Sequence, residues 1–235
     1  MVTKSDDFSI KKWLLGRPSL YIAPFFHILT RYRSNGGTMA LLKLQVAGAV
    51  VLKKKAMPVA DITPAIRTLA DDMAETLKAA HGLALAAPQV GESVRLVVID
   101  RGYLEWEALS EEERKKVRCE YRPEALINPE IVKKEGGDEE LEEGCLSVPG
   151  YRAAVKRARI VTYRWRDLGG VMHERRAEGL EAVCIQHELD HLDGVLFIDR
   201  ISRLKRNLAL GKVKKFVEEL DPEEDEAEYR LYGKP

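Results

Sequence analysis

Across "ITPAIRTLADDMAETLKAAHG" the apolar residues Ile66, Leu69, Ala70, Met73 and Leu77 recur at helical spacing, with charged and polar side chains between them. Thr63 offers an N-cap hydroxyl, Pro64 suits the first helical turn, and Gly82 can end the helix. "RLVVID" (95–100) is a short unbroken apolar run and predicts a buried strand. "LSEEERKKVRCEYR" is charged and predicts a solvent-facing segment, with no chemical role for Cys119. "ALINPEIVKKE" predicts a strand broken at Pro129, because proline brings no N–H to a ladder. "RIVTYRWRDLGGVMHERRAEG" predicts a hairpin turning at "DLGG". The pattern becomes helical over 180–192 and stops at Gly194; "RLKRNLALGKVKKFVEEL" beyond Arg200 is a second amphipathic helix. Together these predict an α+β fold, with short antiparallel sheets packed around a central helix and a C-terminal helix beside them.

The chain has 235 residues, 45% of them hydrophobic and 32% charged, which is the composition of an ordinary globular protein. Its formal net charge is zero, so no global pull toward nucleic acid or an anionic membrane is expected, and no direct sequence-specific nucleic-acid binding. No apolar run approaches a membrane span. Three scattered cysteines make no disulfide scaffold and predict reduced thiols in a cytoplasmic setting. Residues 1–38 stand apart: Lys11, Lys12 and Arg17 precede "SLYIAPFFHIL", Arg31 and Arg33 follow it, and "SNGG" precedes Met39. They are expected to be a flexible extension or to precede the true start; Asp6 and Asp7 fit poorly with the alternative, an organelle-targeting peptide. The expected catalytic domain is 39–200, followed over 201–235 by the amphipathic helix and an acidic, frayed tail.

"QHELDHLDG" changes the picture. His187 and His191 are spaced i, i+4, so they project from one helix face, with Glu188 close to their meeting point. Histidines that merely pack are the competing reading. Val183 and Cys184 lie one turn earlier on the same face, which predicts that this face is buried, and two unpartnered buried imidazoles would be costly. A metal centre is therefore expected. No histidine follows the helix, and His27, His81 and His173 all precede it. Cys145 in "LEEGCLSVPG" is the better third ligand, with Gly144 letting the backbone approach the ion. Cys184 faces the same way as His187, but three ligands from one helical stripe make a poor tetrahedron, so Cys184 is read as apolar lining. In "HGLALAAPQVG" small residues permit close approach, and the Gln89 amide can donate to developing negative charge. A Cys-His-His set suits zinc, iron(II), nickel or cobalt.

"GLALAAPQ" (82–89), "EGCLS" (143–147) and "HELDH" (187–191), in that order, resemble the three motifs of the peptide deformylases, with further likeness in "LINP", "CLSVPGYRA" and "QHELDHLDGVLFIDR". The resemblance implies an α+β metallo-hydrolase that removes the N-formyl group from nascent chains beginning with formyl-methionine, releasing formate. It implies iron(II) as the native ion, replaceable by zinc. In that reading Cys145, His187 and His191 hold the ion, and Glu188 moves the proton. Gln89 and the Leu146 N–H stabilise the oxyanion. Leu83, Leu141, Leu180, Val183 and Cys184 are the candidates for an apolar methionine pocket, with Gly150 also beside the substrate. Arg152 either holds the peptide main chain, pairs with Glu143, or is a surface arginine. Asp190 is either a partner of an arginine such as Arg157 or a helix-surface aspartate. Ala84 departs from the family pattern, which has glycine there, and its methyl is expected to bear on the formyl end of the site. Two rivals stand beside this reading. A zinc protease lacks its downstream ligand here. A non-enzymatic relative would keep the ion for structure and dock on ribosomes through the basic helix over 203–215.

Overall fold

A computed structural model of the chain describes residues 41–220; the expectations for residues 1–38 and for the acidic tail after 220 lie outside the described residues. Helix α1 (Pro64–Ala79) begins where Thr63 accepts a hydrogen bond from the Ile66 N–H at 3.4 Å. It ends differently from expectation. The left-handed residue is His81 (φ 51), not Gly82; the His81 N–H donates to the Lys78 carbonyl and the Gly82 N–H to the Leu77 carbonyl, a Schellman closure that leaves Gly82 one position beyond.

Five strands form one antiparallel sheet in chain order: β1 (Ala84–Ala86), β2 (Leu96–Asp100), β3 (Pro123–Cys145), β4 (Val148–Arg166) and β5 (Met172–Glu178). Between β2 and β3 lie two short helices, α2 (Arg101–Glu107), which directly follows β2, and α3 (Glu111–Arg114), which falls within the charged stretch. Pro129 does not break β3. Asn128 turns left-handed (φ 51), its amide bonds both Val59 backbone groups at 2.8 Å, and the register shifts between Ile127 and Glu130. This is a bulge, which accommodates the missing N–H while the strand continues. Further shifts divide the long β3–β4 ladder into short antiparallel stretches. Leu146 and Ser147 form its turn, and Cys145, the last residue of β3, pairs with Val148.

All of β2 is buried because both faces are covered: Val97 and Ile99 face one apolar cluster, Leu96 and Val98 another. The first cluster contains Ile185, Leu189 and Leu192 of helix α4 (Gly179–Leu192); the second contains Met73 and Leu77 of α1. A third joins Ala209 and Val213 of helix α5 (Arg203–Leu220) to Val148 and Val155 of β4 and to Phe197. The expectation of one buried face on α4 is corrected: residues 182–192 are buried without interruption, so the helix threads the core rather than lying on it. Gln186 docks it, donating to Ala158 and Ala182 carbonyls and accepting from the Ala158 N–H.

Candidate active site

Cys145 Sγ and ring nitrogens of His187 and His191 all lie within 4.8 Å of one another. The hairpin turn delivers the sulfur to the buried helix, placing it 3.1 Å from His191 Nε2. The two rings are nearly perpendicular, their centroids 5.0 Å apart, and Phe197 lies 6.0 Å from His187. The Glu143 carboxylate sits 2.7 Å from His187 Nδ1, which leaves Nε2 facing the cluster. One sulfur and two imidazole nitrogens form a recognised donor set for a divalent transition ion. Glu188 Oε2 and His191 Nδ1, both buried, have no protein partner. The residues present fit a metal centre with a carboxylate beside it.

Burial weighs on every ionisable group here. It drives His191 well below the ordinary range, reinforced by the positive charge of His187, Arg157 and Lys53. His187 is also pushed down by burial, but its contacts with Cys145 and Glu143 raise it well above the ordinary range. Burial pushes the Glu188 carboxyl up to about 7 against the attraction of His187. Glu143 goes the other way: against the cost of burial, bonds from Arg157 and His187 hold it at about 2.

Arg157 donates to both Glu143 oxygens, at 2.6 and 2.9 Å, and bridges to Asp190, which also pairs with Arg200. Asp190 is thus a buried ion-pair partner and not a surface aspartate. Of the three readings of Arg152, the same bonds speak against pairing with Glu143, whose oxygens are taken by Arg157 and His187. Arg152 instead lies across Gly144: a Cβ there would stand 3.4 Å from its Cγ and Cζ, and its Nη1 is buried without a partner. Gly144 therefore makes room for an arginine as well as sitting next to the ligand sulfur.

The Gln89 side-chain Oε1 accepts from the Ala86 N–H at 2.8 Å, which turns its side-chain Nε2 toward Cys145 Sγ (3.6 Å) and the Ser147 hydroxyl (3.3 Å). Leu146 occupies the turn between ligand strand and β4. Leu83, Ala84 and Leu180 are half-buried and pack against the cluster that contains Cys184. Burial pushes the Cys184 thiol well up, in keeping with apolar lining. Val183 is 9% exposed; Leu141 is half-buried on β3 opposite Val155. The Ala84 methyl is on edge strand β1, paired with Ile99. Gly150 is exposed with φ +71, and a Cβ there would meet nothing within 4 Å, so its backbone conformation, not a close approach, calls for glycine. Sequence reasoning missed Arg200, Ser147 and the docking role of Gln186. All three lie within the quoted motifs, but what each side chain does depends on partners that only the packed fold brings to it.

Two imidazoles on a buried helix, met by a thiol from a hairpin, place the protein among metal-dependent hydrolases of α+β architecture. Residues 41–207 match the family model described as polypeptide deformylase. A peptide deformylase of Rhodopseudomonas palustris (strain BisB5) is 45% identical over 177 residues, covering 75% of this chain and 95% of the relative. The crystal structure of a peptide deformylase from Legionella pneumophila superposes with a TM-score of 0.65 at 40% identity, over 74% of this chain and 94% of that one. One from Synechococcus elongatus in complex with actinonin gives 0.62 at 41% identity, over 73% and 86%. The chain belongs to the polypeptide deformylase family.

Proposed function

We propose that this protein hydrolyses the N-formyl group from the terminal formyl-methionine of newly made chains in the cytoplasm, releasing formate and a free α-amine. The observation that carries the reading is the juxtaposition of the Cys145–His187–His191 cluster with Glu188, whose buried carboxylate keeps one oxygen without a protein partner. Cys145, His187 and His191 would hold iron(II), with zinc, nickel or cobalt able to substitute, and the ion would supply Lewis acidity that makes water a competent nucleophile at neutral pH. Glu188 takes a proton from the attacking water and returns it to the amine nitrogen as the C–N bond breaks. The Gln89 amide and the Leu146 N–H face the oxyanion that forms on the formyl carbon; one such donor is worth about 3 kcal/mol. Leu83, Leu141, Leu180, Val183 and Cys184 would take the methionine side chain. Ala84 and Gly150 would pass beside the substrate, and the unpartnered Nη1 of Arg152 is free to hold the peptide main chain.

Two exposed leucines, Leu204 (72%) and Leu208 (57%), lie among exposed basic residues on α5, a surface suited to transient contact with the ribosome. Among the described residues no helix is long and apolar enough to cross a membrane. The decisive experiment is formate release from a formyl-Met-Ala peptide by protein purified without oxygen, with metal measured on the same sample. Formate production lost together with stoichiometric metal in Cys145→Ala is the expected result. A fully metal-loaded protein that releases no formate, or that cleaves internal peptide bonds instead, would overturn the proposal.

A further inference from the structure

Arg101 follows β2 directly and is 5% exposed, an expensive place for a guanidinium unless its donors are met. They are met three times: by Glu124 at 2.5 Å, by Glu181 at 2.6 Å and by the Tyr163 oxygen at 2.9 Å. The Tyr163 hydroxyl donates in turn to the same Glu181 oxygen at 2.7 Å, and Arg175 of β5 lies 3.1 Å from it. One carboxylate oxygen is therefore gripped by side chains from α2, β4 and β5.

Glu181 stands in the first turn of α4, between Leu180 and Val183. That turn lacks the usual local support: Glu178 at the N-cap makes no side-chain hydrogen bond to it, and Gly179 enters with φ +60. The metal-bearing end of the same helix is fixed separately, by Gln186 on β4 and by Glu143 on His187. The helix thus has two clamps, one at the cluster and one two turns away at the apolar side chains.

We propose that the Arg101–Glu181–Tyr163 network sets the position of Leu180 and Val183, and so the width of the pocket that selects the first side chain of the substrate. Arg101, Tyr163 and Glu181 are positioning residues, acting through the helix turn they hold. The inference rests on the proposed function only in taking Leu180 and Val183 as pocket walls.

The test compares metal-loaded wild type with Arg101→Gln, Glu181→Gln and Tyr163→Phe on formyl-Met and formyl-Ala peptides. We expect KM for formyl-Met to rise about tenfold in Arg101→Gln and Glu181→Gln. The preference over formyl-Ala should shrink correspondingly, with kcat and metal content unchanged. A role confined to stability would lower the unfolding temperature and leave both constants of the folded enzyme alone, and that result overturns the proposal. Should the arginine and glutamate variants fail to fold, Tyr163→Phe, which deletes one hydroxyl, decides. Faster amide exchange confined to residues 183–185, whose N–H groups close the first turn onto the carbonyls of 179–181, together with weakened discrimination, supports the clamp; unchanged exchange there refutes it. A wild type inactive on both peptides would sink the proposed function, while amide exchange would still judge the clamp.

Discussion

The carboxylate of Glu143 touches Nδ1 of His187 at 2.7 Å across a sequence separation of 44, with Arg157 closing on its other side. A carboxylate so placed fixes which ring nitrogen carries the proton and aims the other at the cluster. Its position immediately before the Gly144–Cys145 pair means that one strand end supplies both a ligand and the orienter of another ligand.

Replacing Glu143 with alanine should therefore act on metal and fold together. Metal affinity is expected to fall by about 10–100-fold. Breaking a buried ion pair from one side should cost about 3–5 kcal/mol of stability. Metal titration and urea unfolding read the two effects separately; undiminished affinity would remove Glu143 from its orienting role.

Glu188→Gln preserves shape and leaves the three ligands in place. Bound metal should stay stoichiometric while deformylation drops by about 10²–10⁴-fold. Equal formate release by mutant and wild type, measured on metal-matched samples, would refute Glu188 as the proton carrier.

Acid sensitivity should be carried in part by Asp199. Against the cost of partial burial, bonds from Lys53, the Leu196 N–H and Arg206 hold this carboxylate below its ordinary range. A depressed folded-state pKa contributes stability that is present above the unfolded value of about 3.9 and is lost as pH falls through the lower folded value. Asp199→Asn should flatten that portion of the acid-unfolding curve and change little near neutrality beyond a constant offset. An identical acid limb in the two proteins would rule out the contribution.

Gly194 and Gly211 offer a contrast in backbone demands. Gly194 has φ +75, and a Cβ there would fall 2.7 Å from the Lys53 carbonyl oxygen. Gly194→Ala should cost about 2 kcal/mol or more, from left-handed strain plus displacement of backbone. Gly211 lies inside α5 with nothing within 4 Å of a Cβ, so Gly211→Ala should stabilise by about 0.5–1 kcal/mol. Thermal unfolding of the pair checks both signs.

Local chemistry wrote much of the fold into the chain. The period-3.6 stripe and Thr63 cap produced α1; the unbroken run at 95–100 produced a strand covered on both faces; "DLGG" produced the β4–β5 turn. Such features depend on a residue and its near neighbours, and these travel together in sequence. The i, i+4 histidines and the cysteine could be picked out for the same reason, as donor types that have few other uses when buried.

Tertiary structure decided what depends on partners far apart in the chain. Whether Pro129 ended a strand or bulged it was settled by Asn128 finding the Val59 backbone. Whether Glu143 met Arg152 or Arg157 depended on which arginine the β3–β4 register carried to the buried side. The complete burial of α4, and the grip of Arg101 on its first turn, came from layers closing over a helix whose own residues announce only one apolar face. Periodicity reports the environment a segment prefers, whereas ion pairs and register are chosen by the global packing that brings distant charges within reach of each other.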